Sequence, residues 1–435
     1  MTSWGRVACE AQAVARPRWP DELADLVHGK AAAGEAGLLA AGLGRSYGDS
    51  GLNPGGGLIA MGRLDRIHAF DPMIGVLRAD AGLSLDTLMQ VAVPHGWFPA
   101  VVPGTRFVTL GGAIANDVHG KNHHRAGTFG RHVRRLGLLR SDGTTYELTP
   151  DDSSGLFAAT VGGLGLTGVI AWAEVQLTRV RGAYLDAEDL AFHRLDDFFA
   201  LVAESDRTYA HTVAWIDCTA SGSALGRGIF SRANPADDNR FTPAPRSKIS
   251  LPVDLPPGLL NSLTLRAFNG AYFALKSQRR GARHTHYAPF FFPLDAIGQW
   301  NRLYGRRGFY QYQCVVPPSV AREAVAELLL QIVRSGQGSF LAVLKTFGAL
   351  KSPGLLSFPA EGTTLALDFR NAGACTLALM ERLDRIVAEA GGRLYPAKDG
   401  RIGAAMFAAG YPRLGEFVRH RDPGLSSAFW RRVAP

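Results

Sequence analysis

Residues 102–124 read VPGTRFVTLGGAIANDVHGKNHH. Gly104, Gly111, Gly112 and Gly120 are interleaved there with Thr105, Thr109, Asn116 and Asp117. Small and polar residues at this density predict a backbone laid against a large, flat, polar ligand. Two further glycine turns flank the stretch. Upstream, residues 40–50 read AAGLGRSYGDS, with glycines at 42, 44 and 48. Such a turn brings successive N–H groups into a nest that suits a pyrophosphate, and Arg45 adds charge. Downstream, GGLGLTGVI at 162–170 leads from a turn into a strand. None of the three is a GxGxxG inside a βαβ unit, so a Rossmann domain is a poor fit. Three such turns in one half of the chain are more specific than any one of them.

The same region holds His119, His123, His124 and His132, four of the twelve histidines. No two of them stand at ligand spacing with an acidic partner, so no metal site is expected. The four cysteines, Cys9, Cys218, Cys314 and Cys375, form no CxxC pair. A zinc site or a disulfide framework is not expected, and a reducing compartment fits. The N-terminus carries no secretory signal, which predicts a cytoplasmic protein. Residues 153–173 are uncharged and long enough for a bilayer span. Five glycines interrupt them, so a buried loop entering a strand is the better expectation.

The 435 residues are 46% hydrophobic and 20% charged, which excludes a disordered chain and suits two or three domains. The net charge is +9, and only seven of the 47 basic residues are lysine. A basic surface favours anionic partners. No basic-aromatic stripe of a nucleic-acid module is present, so no nucleic-acid partner is expected.

The first half reads as α+β with tight turns: strands at 57–61, 76–81 and 169–177, and a helix at 83–92 capped by Ser84. In the second half strands at 310–316, 340–346, 363–369 and 393–397 alternate with helices at 319–334 and 376–390. That order is a split βαβ unit, with an antiparallel sheet and helices on one face. Residues 233–282, dense in proline and basic residues, read as a long loop or lid. YPAKDGR at 395–401 puts Lys398, one of few lysines, at the end of the last strand. A lysine there is either a site cation with a movable pKa or half of a surface ion pair.

Taken together, GLGRSYGD, PGTRFVTLGGAIANDVHGKNHHRAGTFG, GLGLTGVI, FYQYQCVVP, LKTFG and YPAKDGR are similar to the decaprenylphosphoryl-β-D-ribose 2′-oxidase family. That family is a branch of the vanillyl-alcohol oxidase flavoproteins. The resemblance covers about residues 10–430. It implies an α+β fold with a PCMH-type FAD-binding domain of two α/β subdomains at 1–183. A substrate domain would follow at 184–392, an antiparallel sheet covered by helices, with a mobile loop at about 233–282. Residues 393–435 would return to the FAD domain and carry Lys398.

The resemblance implies FAD contacts at Gly42, Leu43, Gly44, Arg45, Ser46 and Tyr47, continuing along Gly104, Thr109, Gly111, Gly112, Asn116, Asp117 and His119. Ile170 and Tyr395 match further contacts. Many related oxidases bind flavin covalently through a histidine where this chain has Arg45, so non-covalent FAD is implied. Lys398 matches the lysine beside flavin and sugar. His119 matches a histidine near the isoalloxazine and is a candidate proton acceptor. Gln311, Gln313, Lys345 and Phe347 match substrate-side positions. Three positions depart from the family pattern: Ala366 replaces a cysteine, Thr364 an asparagine, and Phe291 a tyrosine.

The implied activity is FAD-dependent oxidation of the C2′ hydroxyl of a polyprenyl-phosphoryl-β-D-ribose. A short-chain-type reductase would act as epimerase partner. The basic lid residues Arg240, Arg246 and Lys248 would meet phosphate or an anionic inner-membrane surface, and Leu259, Leu260 and Leu263 the prenyl chain. Two alternatives are a soluble aldonolactone or alditol oxidase using a free sugar, and a non-catalytic binding protein.

Overall fold

The structure, a computed structural model, describes residues 2–8, 11–31, 36–245, 249–256, 258, 260–278 and 281–435. Glycine-rich turns and short apolar runs in the first half produce two sheets. A small parallel sheet has the order Ala13–Ala15, Gly57–Ala60, Leu38–Ala41. A larger antiparallel sheet is built around Val169–Arg179, which pairs with Val76–Asp80, Val133–Leu139 and Trp97–Pro99. The predicted helix forms as Leu85–Ala92. The Ser84 hydroxyl accepts the Thr87 N–H at 3.0 Å, and Asp86 lies in the first turn. Residues 153–173 divide into the helix Leu156–Thr160, a glycine turn and the start of Val169–Arg179. Among the described residues no helix is long and apolar enough to cross a membrane.

The second half forms one eight-stranded antiparallel sheet. At one end the strands lie in the order Ala342–Phe347, Gly362–Arg370, Phe309–Val316, Arg393–Leu394. With the helices Ala321–Ser335 and Ala374–Glu389 they make the split βαβ unit. Val325, Leu328, Leu329 and Ile332 from the first helix, and Leu379, Leu383 and Val387 from the second, bury one face of this sheet. Its other face is left for the site. The last strand is shorter than the sequence suggests. Tyr395 N–H still reaches Gln313 O, but Lys398 N–H bonds back to Tyr395 O, so the chain turns there.

Residues 233–282 are not a single irregular loop. Residues 233–235 finish the strand Gly228–Pro235, and a 16-residue helix, Ser262–Ser277, occupies the later part. Asn261 caps that helix by accepting from Leu263 and Thr264 N–H. It buries only Leu265, Asn269 and Phe273. Arg240 is engaged locally: it pairs with Asp238 at 2.9 Å and stacks 4.0 Å over Tyr184. Arg246, Lys248, Leu259 and Cys9 lie outside the described residues.

The C-terminal segment packs on the first half. Leu425 bridges to Leu38, and Asp422 accepts the Ser141 N–H at 2.7 Å. Arg432 spans Asp49 at 2.7 Å and Asp399 at 3.0 Å, tying the first glycine turn to the loop that follows Lys398.

Candidate active site

The close approach of residues 42–48 to two other segments shapes the site. A Cβ at Gly48 would stand 1.6 Å from Asp399 O, and one at Gly42 would stand 2.4 Å from Thr109 Oγ1. Only glycine permits both contacts. Tyr47 N–H donates to Ala397 O at 3.0 Å, so the first glycine turn and the segment bearing Lys398 are joined through backbone.

A cavity of about 320 Å³ opens between these turns and the free face of the second sheet. Gly42 to Tyr47, Gly104, Thr109, Gly111, Gly112, Asn116, His119, Ile170 and Tyr395 line one side. Gln311, Gln313, Lys345, Thr364, Ala366 and Lys398 line the other. The strand register explains the second group. Gln313 lies opposite Ala366, Lys345 opposite Thr364, and Gln311 opposite Asp368. With a side-chain period of two, Thr364, Ala366 and Asp368 share one face.

Three expected residues lie off the cavity lining. Asp117 is fully buried and serves the backbone: it accepts the Gly130 N–H at 2.8 Å and bonds the Ser352 and Ser357 hydroxyls. Phe347 stands behind His119, with ring centroids 4.8 Å apart. Phe291 packs on Phe98 and His211 in the core of the first half and does not line the cavity. Its position in the apolar run FFFPLD explains this: three successive aromatics cannot all face one cavity.

Other residues line the site without a sequence signal. Trp4 reaches it because its N–H donates to Ser46 O at 2.9 Å, a contact across more than forty residues. Trp300 joins it from a short turn. Asp368 sits beneath the floor, fully buried, and accepts Gln311 Nε2 at 2.7 Å. Strand alternation from Thr364 and Ala366 would have found it.

The electrostatics are one-sided. Arg45, Lys345 and Lys398 line the cavity, and among the described residues no Asp or Glu does. Burial pushes Lys398 down to about 7, with Asp368 opposing that shift. Burial, then repulsion from Lys121 and Lys398, brings Lys345 down to about 7; its Nζ donates only to a backbone carbonyl, Gly120 O, at 3.3 Å. Burial also raises Asp368 to about 7, against the Gln311 bond and Lys398. His119 is held well below its ordinary value by burial and by Lys345, His123 and Lys398. Its Nε2 lies 3.1 Å from the Gln313 amide nitrogen, so Nε2 accepts and the proton sits on Nδ1.

These features fit a dinucleotide flavin. Glycine-rich backbone turns form much of one wall. The buried Arg45 Nε has no partner within the protein, its guanidinium stacks 4.0 Å over Trp4, and no carboxylate lining competes with a pyrophosphate. Gly42 to Tyr47 and Gly104 to Asn116 would hold the cofactor.

The fold and cavity define an FAD-dependent oxidoreductase, and a family model described as an FAD binding domain matches residues 11–149. Decaprenylphosphoryl-β-D-ribose oxidase of Mycolicibacterium smegmatis is 41% identical over 97% of this chain and 93% of that protein. The chain belongs to the decaprenylphosphoryl-β-D-ribose oxidase family. An uncharacterized Streptomyces coelicolor protein from the mprA 5′ region is 35% identical over 81% of this chain and 99% of its own length. Cytokinin dehydrogenase 10 of Oryza sativa subsp. japonica is 30% identical over 38% of this chain and 31% of its own, a partial likeness.

Proposed function

We propose that this chain oxidises the C2′ hydroxyl of a polyprenyl-phosphoryl-β-D-ribose to the 2′-keto sugar. The observation that carries this is the placement of Lys398, at the junction of the glycine turns and the Gln311, Gln313 and Lys345 floor, in a chain that matches an oxidase of that name along almost its whole length. FAD, when bound, supplies the hydride acceptor. The protein positions the sugar carbon and handles the proton. His119, held neutral far below its ordinary range, is a weak base, so it acts by orienting Gln313. Lys398, brought near 7, takes the hydroxyl proton at Nζ in its neutral form. The resulting ammonium then faces the negative charge that hydride transfer creates.

Gln311, Gln313, Lys345 and Thr364 present donors and acceptors to the sugar hydroxyls. Ala366 leaves more room on the floor than a cysteine would. FAD is held without a covalent bond, because Arg45 offers no nucleophile for one. A short-chain-type reductase returns the ketone to an alcohol of inverted configuration, and the enzyme meets its lipid substrate as a peripheral protein at the inner membrane.

The test is anaerobic reduction of the bound flavin. Polyprenyl-phosphoryl-β-D-ribose bleaches the flavin absorbance, whereas free ribose and alditols leave it unchanged. Bleaching by a free alditol alone would replace this reading with a soluble alditol oxidase.

A further inference from the structure

The helix Ser262–Ser277 turns most of its surface to solvent. Leu263 is 75% exposed, Leu275 68% and Phe268 49%. Apolar residues 263, 267, 271 and 275 recur every fourth position, which makes a stripe along one side of the helix. Ile249 and Val253 are exposed nearby in sequence, as is Ile297, whose neighbour Gly298 pairs with Ser250. Large apolar side chains exposed along one helix face mark an interaction surface.

The charge pattern says what covers it. From residue 255 to residue 294 the chain contains no Asp or Glu, while Arg266, Lys276, Arg279, Arg280 and Arg283 are basic. Lys276 and Arg283 are met by Asp189, and Arg266 is exposed on the helix itself. An exposed apolar stripe beside Arg266, on a helix with no Asp or Glu of its own, suits an anionic bilayer.

The face is also joined to the cavity by an aromatic path. Trp300 lines the cavity and clusters with Tyr304. Tyr304 stacks on Phe340 at 5.7 Å, and Phe340 contacts Phe268 at 6.0 Å. Leu341, next to Phe340, lines the cavity as well. This aromatic cluster runs from the cavity to the exposed helix.

We infer that the helix Ser262–Ser277 is the docking face of this protein for an anionic lipid bilayer, placed so that a membrane-held prenyl chain enters the cavity past Phe268 and Phe340. This rests on the lipid-phosphoryl reading of the substrate.

The experiment is flotation of the holoenzyme with vesicles of phosphatidylcholine alone or mixed with phosphatidylglycerol. Wild-type protein floats with the anionic vesicles, and added salt weakens the association. The double variant Leu275→Glu, Arg266→Glu floats about tenfold less or worse. It keeps the wild-type flavin spectrum and is reduced normally by a short-chain prenyl-phosphoryl-ribose in solution. Wild-type protein that ignores anionic vesicles overturns the inference, as does a double variant that floats like wild type. A concentration-dependent dimer abolished by the double variant would give the face to a second copy and also overturn it. Flotation without flavin reduction by any prenyl-phosphoryl-ribose upholds the face and removes the substrate reading; reduction without flotation does the reverse.

Discussion

The ammonium nitrogen of Lys398 lies 3.9 Å above the ring of Tyr47, which binds the C-terminal segment and the first glycine turn into one wall of the site. Burial holds this lysine near 7. As a base it works when neutral, so flavin reduction rises with pH through about 7 and levels off above it. Lys398→Met slows reduction by about 10²-fold or more while FAD stays bound. Stopped-flow reduction across pH checks both. Flavin reduction at the wild-type rate in the variant would remove Lys398 from the chemistry.

Asp368 raises Lys398 through its negative charge. Asp368→Asn therefore lowers Lys398 further and moves the rising limb to lower pH. The same stopped-flow series reads the displacement. An unmoved limb would mean that the two groups do not communicate.

Lys345 is buried, and its ordinary value of 10.5 falls to about 7 in the fold. Between those values the unfolded chain binds more protons than the folded one, so this lysine makes stability rise with pH across that window. Lys345→Met flattens that slope and stabilises the protein at neutral pH by about 1 kcal/mol or more. It also raises KM by about tenfold through the lost charged donor. Thermal melts from pH 7 to 10, paired with steady-state kinetics, separate the two effects.

Gly48→Ala forces a methyl group into Asp399 O. A backbone clash cannot be relieved by a rotamer change, so about 3 kcal/mol of stability is lost, with much of the bound FAD. Melting temperature and flavin content per chain measure this.

Ala366 removes a thiol from the cavity floor, Cys218 and Cys314 are buried with thiols pushed up to about 12, and the exposed Cys375 does not line the cavity. Thiol-directed electrophiles leave activity intact, and Ala366→Cys creates sensitivity to them. In the same preparations, acid precipitation sends all the yellow colour into the supernatant, the outcome expected with Arg45 in place of a flavin-linking histidine. Colour retained in the pellet would reveal a covalent link elsewhere.

Much of the site was legible because local chemistry dictated it. Glycines at 42, 44 and 48 free the backbone for a tight turn and a close ligand approach, and the order of helices and strands from residue 309 onward specifies a split βαβ sheet. The scarcity of lysine made Lys398 conspicuous. Tertiary structure alone decided the rest. Phe291 and Asp117 differ from Tyr47 and His119 only in which way a side chain points once distant segments pack, and each packs away from the cavity. Trp4 enters the site through a backbone pairing with Ser46, which local preference does not encode. The helix Ser262–Ser277 buries three residues and exposes Leu263, Phe268 and Leu275. Which face of that helix is covered depends on what packs against it, and local sequence does not carry that information.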